Sequence, residues 1–111
     1  MQPLRDQGVL IVGSGDIVHN LGRLDYLEQA TPLDWAQTFE NSVINCIAKR
    51  EHDKLVNYLQ FGQSAQLSVP TPEHYLPLLY VLALQEVGEE AEYFLKSIAH
   101  GSISMTSFII R

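Results

Sequence analysis

Between Pro72 and Gln85 the sequence reads PEHYLPLLYVLALQ, and Tyr75, Leu76, Leu78, Leu79, Val81 and Leu82 cover most of the circumference of the helix that this segment predicts. A helix apolar on nearly every side has to be buried. Thr71-Pro72 supplies the start, a hydroxyl at the cap position followed by proline at the first helical position. Pro77 falls in the second turn, where it removes one backbone hydrogen bond and favours a bend.

Upstream, the continuous apolar run GVLIV from Gly8 to Val12 ends in Gly13-Ser14-Gly15, the pattern of a buried central strand entering a loop. DIVHNLG follows, at most one helical turn or an ordered loop closed by Gly22, and Arg23 to Ala30 predicts a polar surface loop. Thr31-Pro32-Leu33-Asp34 gives a second helix start, after which Trp35, Phe39, Val43, Cys46 and Ile47 recur at helical spacing to about Arg50. A short helix from roughly Asp53 to Gln60 and a loop from Phe61 to Val69 lead to the apolar helix. Past the acidic turn Val87-Gly88-Glu89-Glu90, the tail from Tyr93 to Arg111 carries Gly101 between strand-like pieces and predicts one or two strands. The expected fold is α/β, a partial open sheet with flanking helices in a single domain, residues 1–111. Two or three strands cannot make a sheet covered on both faces, so a partner chain, a dimer that continues the sheet, or an N-terminal segment is expected to complete it.

Composition narrows the function. A hydrophobic fraction of 46% with 18% charged residues belongs to a folding chain rather than a disordered one. The formal net charge of −6, with no basic run, disfavours nucleic acid and anionic membrane as partners. The longest apolar stretch, Leu76 to Leu84, falls short of the ~20 residues of a membrane-spanning helix. The first twenty residues lack the pattern of a signal peptide, and a lone cysteine, Cys46, excludes an internal disulfide. A cytoplasmic location is the expectation.

Gly13-Ser14-Gly15 invites a nucleotide-binding reading, but the third glycine of G-x-G-x-x-G would fall on Val18, and no Walker lysine follows. The loop's use is to fix the approach of His19, a few residues past a predicted strand end, where open α/β sheets commonly carry active-site groups. Taken alone, His19 reads more readily as a hydrogen-bonded core histidine, and only a second histidine changes that. His74, after Glu73 in the first turn of the apolar helix, is the second candidate. His74 and Glu73 are each plausible metal ligands, but neighbouring helix positions point ~100° apart, so they do not easily share one metal. Glu73 also reads as a favourable first-turn acid. A mononuclear catalytic metal generally needs three protein ligands with open positions, and the remaining histidines, His52 in a charged stretch and His100 before a glycine, are assigned to no site.

VLIVGSGDIVHNLG, PTPEHYLPLLYVLAL and GSISMTSFII together, with Trp35-Ala36-Gln37-Thr38-Phe39 between them, resemble the C-terminal portion of the DOPA-type class III extradiol ring-opening dioxygenases. The resemblance implies a cytoplasmic α/β enzyme with one non-haem divalent metal, Fe2+ or Zn2+, cleaving catechols with O2. It implies His74 as a metal ligand, His19 as the acid/base or a further ligand, and Glu73 as the fallback ligand. The family's N-terminal segments, with two further histidine ligands, have no counterpart in the sequence. The expectation is therefore a chain inactive by itself. It would be one part of a split enzyme, or a non-catalytic assembly module that uses an open sheet edge.

Overall fold

The computed structural model describes residues 1–27 and 29–111. Its core is organised on α2 (Asp34–Ala48), whose sequence spaces Ala36, Phe39, Val43, Cys46 and Ile47 three and four residues apart, so all five lie on one buried face. This helix starts at Asp34 with Leu33 at its cap, and no side chain caps it, so Thr31 is not the cap that the sequence predicts. The chain then folds back through α3 (His52–Val56), a 3-10 turn at Tyr58–Phe61 and α4 (Gln63–Ser68), which packs on α2. Phe61 and Tyr58 meet Phe39 edge-on, with ring centroids 6.1 and 6.5 Å away. The predicted loop from Phe61 to Val69 is thus largely helical. Its small residues Ala65 and Ser68 are wholly buried, and a surface-loop reading of small, polar residues misses that use.

The predicted helix from Pro72 to Gln85 is divided into a 3-10 turn, Pro72–His74, and α5 (Leu76–Leu82). Pro77 has no N–H to return to the preceding turn, and the bonds around it tighten to three-residue spacing: Tyr75 N–H to Pro72 C=O at 3.0 Å and Leu78 N–H to Tyr75 C=O at 3.1 Å. Nor is this segment buried all round, since Leu76 and Tyr80 face outward at 40% and 62% exposure. Tyr75 and Leu82 supply its buried side, and the Tyr75 hydroxyl donates to the Leu55 carbonyl at 2.7 Å, so burying the phenol leaves neither group unpaired.

The tail forms four strands: β1 (Ala91–Leu95), β2 (Ile98–Ala99), β3 (Ile103–Ser104) and β4 (Ser107–Ile110). They pair antiparallel as β1 with β4 and β2 with β3, giving two small sheets beside the helices, an α/β arrangement. Gly101 makes the tight connection between β2 and β3 at φ +73°. Residues Gly8 to Val12 are not a strand. Gly8 sits in a turn at φ +80°, residues 9–12 have no regular secondary structure and pair with no strand among the described residues, and Leu10 and Val12 are 75% and 78% exposed. Apolar continuity predicted burial, yet no neighbouring strand among the described residues supplies it. Ahead of them lies a short helix the sequence did not signal, α1 (Gln2–Asp6), whose Arg5 pairs with Glu89 and draws that carboxylate's pKa down to about 2. The predicted loop from Arg23 to Ala30 opens with a 3-10 turn, Leu21–Arg23, and includes Glu28, which lies outside the described residues.

One charge sits in the core. Glu40, on the buried side of α2, is 3% exposed and accepts a hydrogen bond from the Ser104 hydroxyl of β3. Burial raises its pKa above the ordinary 4.5, and the Ser104 bond and the charge of Lys96 only partly offset that. A carboxyl whose pKa rises on folding favours the folded state below its unfolded pKa and loses that contribution as pH climbs through the folded value. Glu40→Gln is therefore expected to be more stable than the parent at pH 7, with the difference shrinking towards pH 4. Urea unfolding at the two pH values measures this, and a difference independent of pH contradicts it.

Candidate metal centre

The segment Gly13 to Asn20 is held by its backbone. The Asp16 N–H donates to the His74 carbonyl at 2.7 Å, the His19 N–H to Ser68 at 2.9 Å, and the Asn20 N–H to Ser102 at 3.2 Å. In return the Ser104 N–H donates to Val18 C=O at 2.8 Å and the Ser102 hydroxyl to Asn20 C=O at 2.9 Å. His19 also bridges Ile103 as an isolated antiparallel pair. Ile17 and Val18 plug into the core between these bonds, so the imidazole of His19 is carried on a fixed support from α4 on one side and from the β2–β3 hairpin on the other.

Gly13 and Gly15 have a use that is not phosphate binding. A Cβ at Gly15 would stand 2.3 Å from the His74 carbonyl oxygen, and one at Gly13 would stand 2.9 Å from both the Pro77 carbonyl and a Val81 methyl. Only glycine lets this loop lie against the start of α5. That contact brings together two histidines separated by about half the chain.

His19 and His74 stack with ring centroids 3.7 Å apart and planes 23° from parallel. Asp16 completes a trio. Its Oδ2 is 3.9 Å from His19 Nε2, and one ligand atom from each of Asp16, His19 and His74 can be chosen so that all lie within 4.8 Å of one another. All three side chains are half-buried. Burial raises the Asp16 carboxyl above its ordinary 3.8, against the opposing pull of His19 and His74. Two imidazoles and a carboxylate form a donor set suited to a first-row divalent metal.

Of the residues singled out from sequence, the structure brings His19 and His74 together and leaves Glu73 out. Glu73 is exposed and accepts a 2.6 Å hydrogen bond from the Thr71 hydroxyl, which holds its pKa below the ordinary value. His52 is half-buried rather than solvated and pairs with Gln85 at 2.9 Å, while His100 occupies a left-handed turn at φ +53° and contacts the Asp25 carbonyl at 2.9 Å. Asp16 is the residue that sequence reasoning missed. Its spacing of three from His19 was the available signal, and only a fixed loop turns that spacing into proximity.

Asp16 and His74 border a cavity of about 520 Å³, walled by Leu78, Phe94, Phe108 and Ile110 and by residues 9–15. A larger concavity of about 890 Å³, between α2 and the Lys96–Ile98 segment, contains no histidine.

No family model matches the chain. Over 107 residues it is 41% identical to a protein of Escherichia coli (strain K12) named 4,5-DOPA dioxygenase extradiol, a match covering 94% of this chain and 39% of that protein. A protein of the same name from Portulaca grandiflora is 26% identical over 110 residues, 97% of this chain and 40% of its own length. The crystal structure of an uncharacterized Escherichia coli K12 protein superimposes with a TM-score of 0.84 at 40% identity, covering 96% of this chain and 45% of that one. The chain spans about two fifths of the length of the curated relatives it matches.

The glycine contact gives a direct test. Gly15→Ala is expected to cost about 1–3 kcal/mol through forced backbone displacement and to speed hydrogen exchange at the Asp16 amide. Gly22→Ala, whose added carbon meets only the Asn20 side-chain oxygen at 3.4 Å, is expected to be near neutral. Equal stabilities and unchanged exchange contradict the close approach.

Proposed function

This chain is a homologue of the extradiol 4,5-DOPA dioxygenases that corresponds to a C-terminal portion of their length, and from that premise we propose that it supplies the imidazole pair of a ring-opening dioxygenase acting on a catechol with O2. The observation carrying this reading is the stack of His19 on His74 beside an apolar cavity. A cavity of about 520 Å³ is within the range of small-molecule sites.

In this reading His74 is a ligand of a non-haem divalent metal, Fe2+ or Zn2+, and His19 is the acid/base. The bound metal would supply the Lewis acidity that lowers the pKa of a catechol hydroxyl. His74 is directed by the tight turn between Pro72 and Pro77, which fixes its backbone. Leu78, Phe94 and Phe108 offer apolar surface to an aromatic ring. His19, held through its own N–H and through Val18, takes the hydroxyl proton at a ring nitrogen and returns it later. Glu73, engaged by Thr71, is the fallback ligand only if its turn rearranges. The buried, unpaired thiol of Cys46 suits a cytoplasmic setting.

Residues 9–15, without regular secondary structure of their own, favour a second reading of how the chain works, as one part of an assembly. Val9, Leu10 and Val12 are exposed along one border of the cavity, and the edge of β4 forms another border. Strand addition by a further polypeptide, whether the rest of a dioxygenase or a partner chain, would pair that backbone and cover those side chains.

Oxygen uptake with a catechol and ferrous iron tests both readings. Turnover is expected when the chain is combined with a polypeptide carrying the rest of a relative's length, and not from the chain alone. In the combination, His19→Ala is expected to lower the rate by about 10²–10⁴-fold, and His74→Ala to remove turnover together with bound metal. Full activity in either variant contradicts the assigned roles, and no uptake in any combination counts against an enzymatic role. A discrete metal-independent oligomer on size exclusion, without turnover, would favour the non-catalytic assembly module.

A further inference from the structure

We propose that Asp16 is a protein donor to the cation that His74 is read to hold, so that Asp16, His19 and His74 form a divalent-metal site within this chain alone. The inference rests on the reading of His74 given above and goes beyond it, because it makes the site independent of any further polypeptide.

Proximity is the first support. The three ligand atoms lie within 4.8 Å of one another. A first-row metal with bonds of about 2.0–2.2 Å holds neighbouring donors roughly 3–4 Å apart, so small side-chain rotations close the gap. Support also comes from what the three groups lack. Among the described residues no hydrogen bond reaches the Asp16 carboxylate or either ring, and the nearest polar approach is the 3.9 Å separation of Asp16 from His19. The His19 and Asp16 side chains keep 21% and 26% of their surface accessible, so an incoming cation meets donor atoms that no other described side chain occupies. His52 and His100 show the contrast, since each of those rings has a partner at 2.9 Å.

Rigidity is the third support. The Asp16–His74 bond joins the backbones of two donors directly, and the His19 N–H is fixed on Ser68. The positions of the three Cα atoms are therefore set before a metal arrives, which lowers the ordering cost of binding. Two imidazole nitrogens with one carboxylate oxygen favour Fe2+, Co2+ or Zn2+ over Ca2+ or Mg2+, which take all-oxygen shells, and over Cu+, which seeks sulfur. The proton-transfer role of His19 belongs to the substrate-loaded, assembled enzyme; in the chain by itself the ring is free to ligate.

Titrating the whole chain with Co2+, followed by calorimetry and by the cobalt absorption bands, tests this. One Co2+ per chain is expected. Asp16→Asn, nearly isosteric, is expected to weaken it at least about tenfold, since loss of even an indirect partner costs that much. His74→Ala is expected to weaken it as much or more, and His52→Ala to leave it unchanged. Co2+ is also expected to shift or broaden the NMR signals of the Asp16, His19 and His74 side chains in the unmutated chain, a readout that needs no variant to fold. No Co2+ uptake by the chain overturns the inference, as does uptake that leaves the Asp16 signals and the Asp16→Asn affinity untouched. In the latter case, loss of binding in His74→Ala would leave the reading of His74 standing. Binding undiminished in His74→Ala would instead overturn that reading.

Discussion

The hydrogen bond from the Asp16 N–H to the His74 carbonyl, 2.7 Å long, is the constraint on which the site depends. It ties an N-terminal loop to the turn ahead of α5 across about half the sequence, and two local features permit it. Gly15 removes the side chain that would collide with that carbonyl. Pro77 interrupts regular α-helical bonding, so the first turn tightens and Leu78 bonds to Tyr75. With the backbones joined, the His74 side chain on the bonded residue and the His19 side chain three residues past Asp16 have little choice of neighbour, and their stack follows.

Much of this was legible from sequence where the signal is local. Helical spacing from Trp35 to Ile47 located α2 and its buried face, and the Thr71-Pro72 start located the turn that carries His74. The two histidine-bearing motifs pointed to the segments that meet. What could not be read is what depends on distant partners. GVLIV has the composition of a buried strand, but a strand is defined by a neighbour, and the described residues offer none there. Helix α4 is built from small and polar residues that resemble a loop until α2 is packed against them. Asp16 carries no local signal of a role, because its significance comes from His74, far along the chain. The tail's strands were visible as a region, and their pairing of β1 with β4 around the β2–β3 hairpin was not, since alternation carries no register.

The molecule is unevenly finished. On the side of α2, α4 and the loop at Ile17 and Val18, aromatic contacts and paired polar groups close a dense core. On the other side, exposed Leu10, Val12 and Phe94 surround a cavity that Asp16 and His74 border. That asymmetry accords with a chain spanning about two fifths of the length of its relatives. The densely packed side positions the site, and the open side is where substrate or further polypeptide has room.

The central claim is that two imidazoles distant in sequence share one place. Nuclear Overhauser contacts between the ring protons of His19 and His74 measure it without metal, substrate or partner. Ring centroids 3.7 Å apart predict strong cross-peaks between the two side chains. A His74 ring whose contacts lie elsewhere, with none to His19, would contradict the account.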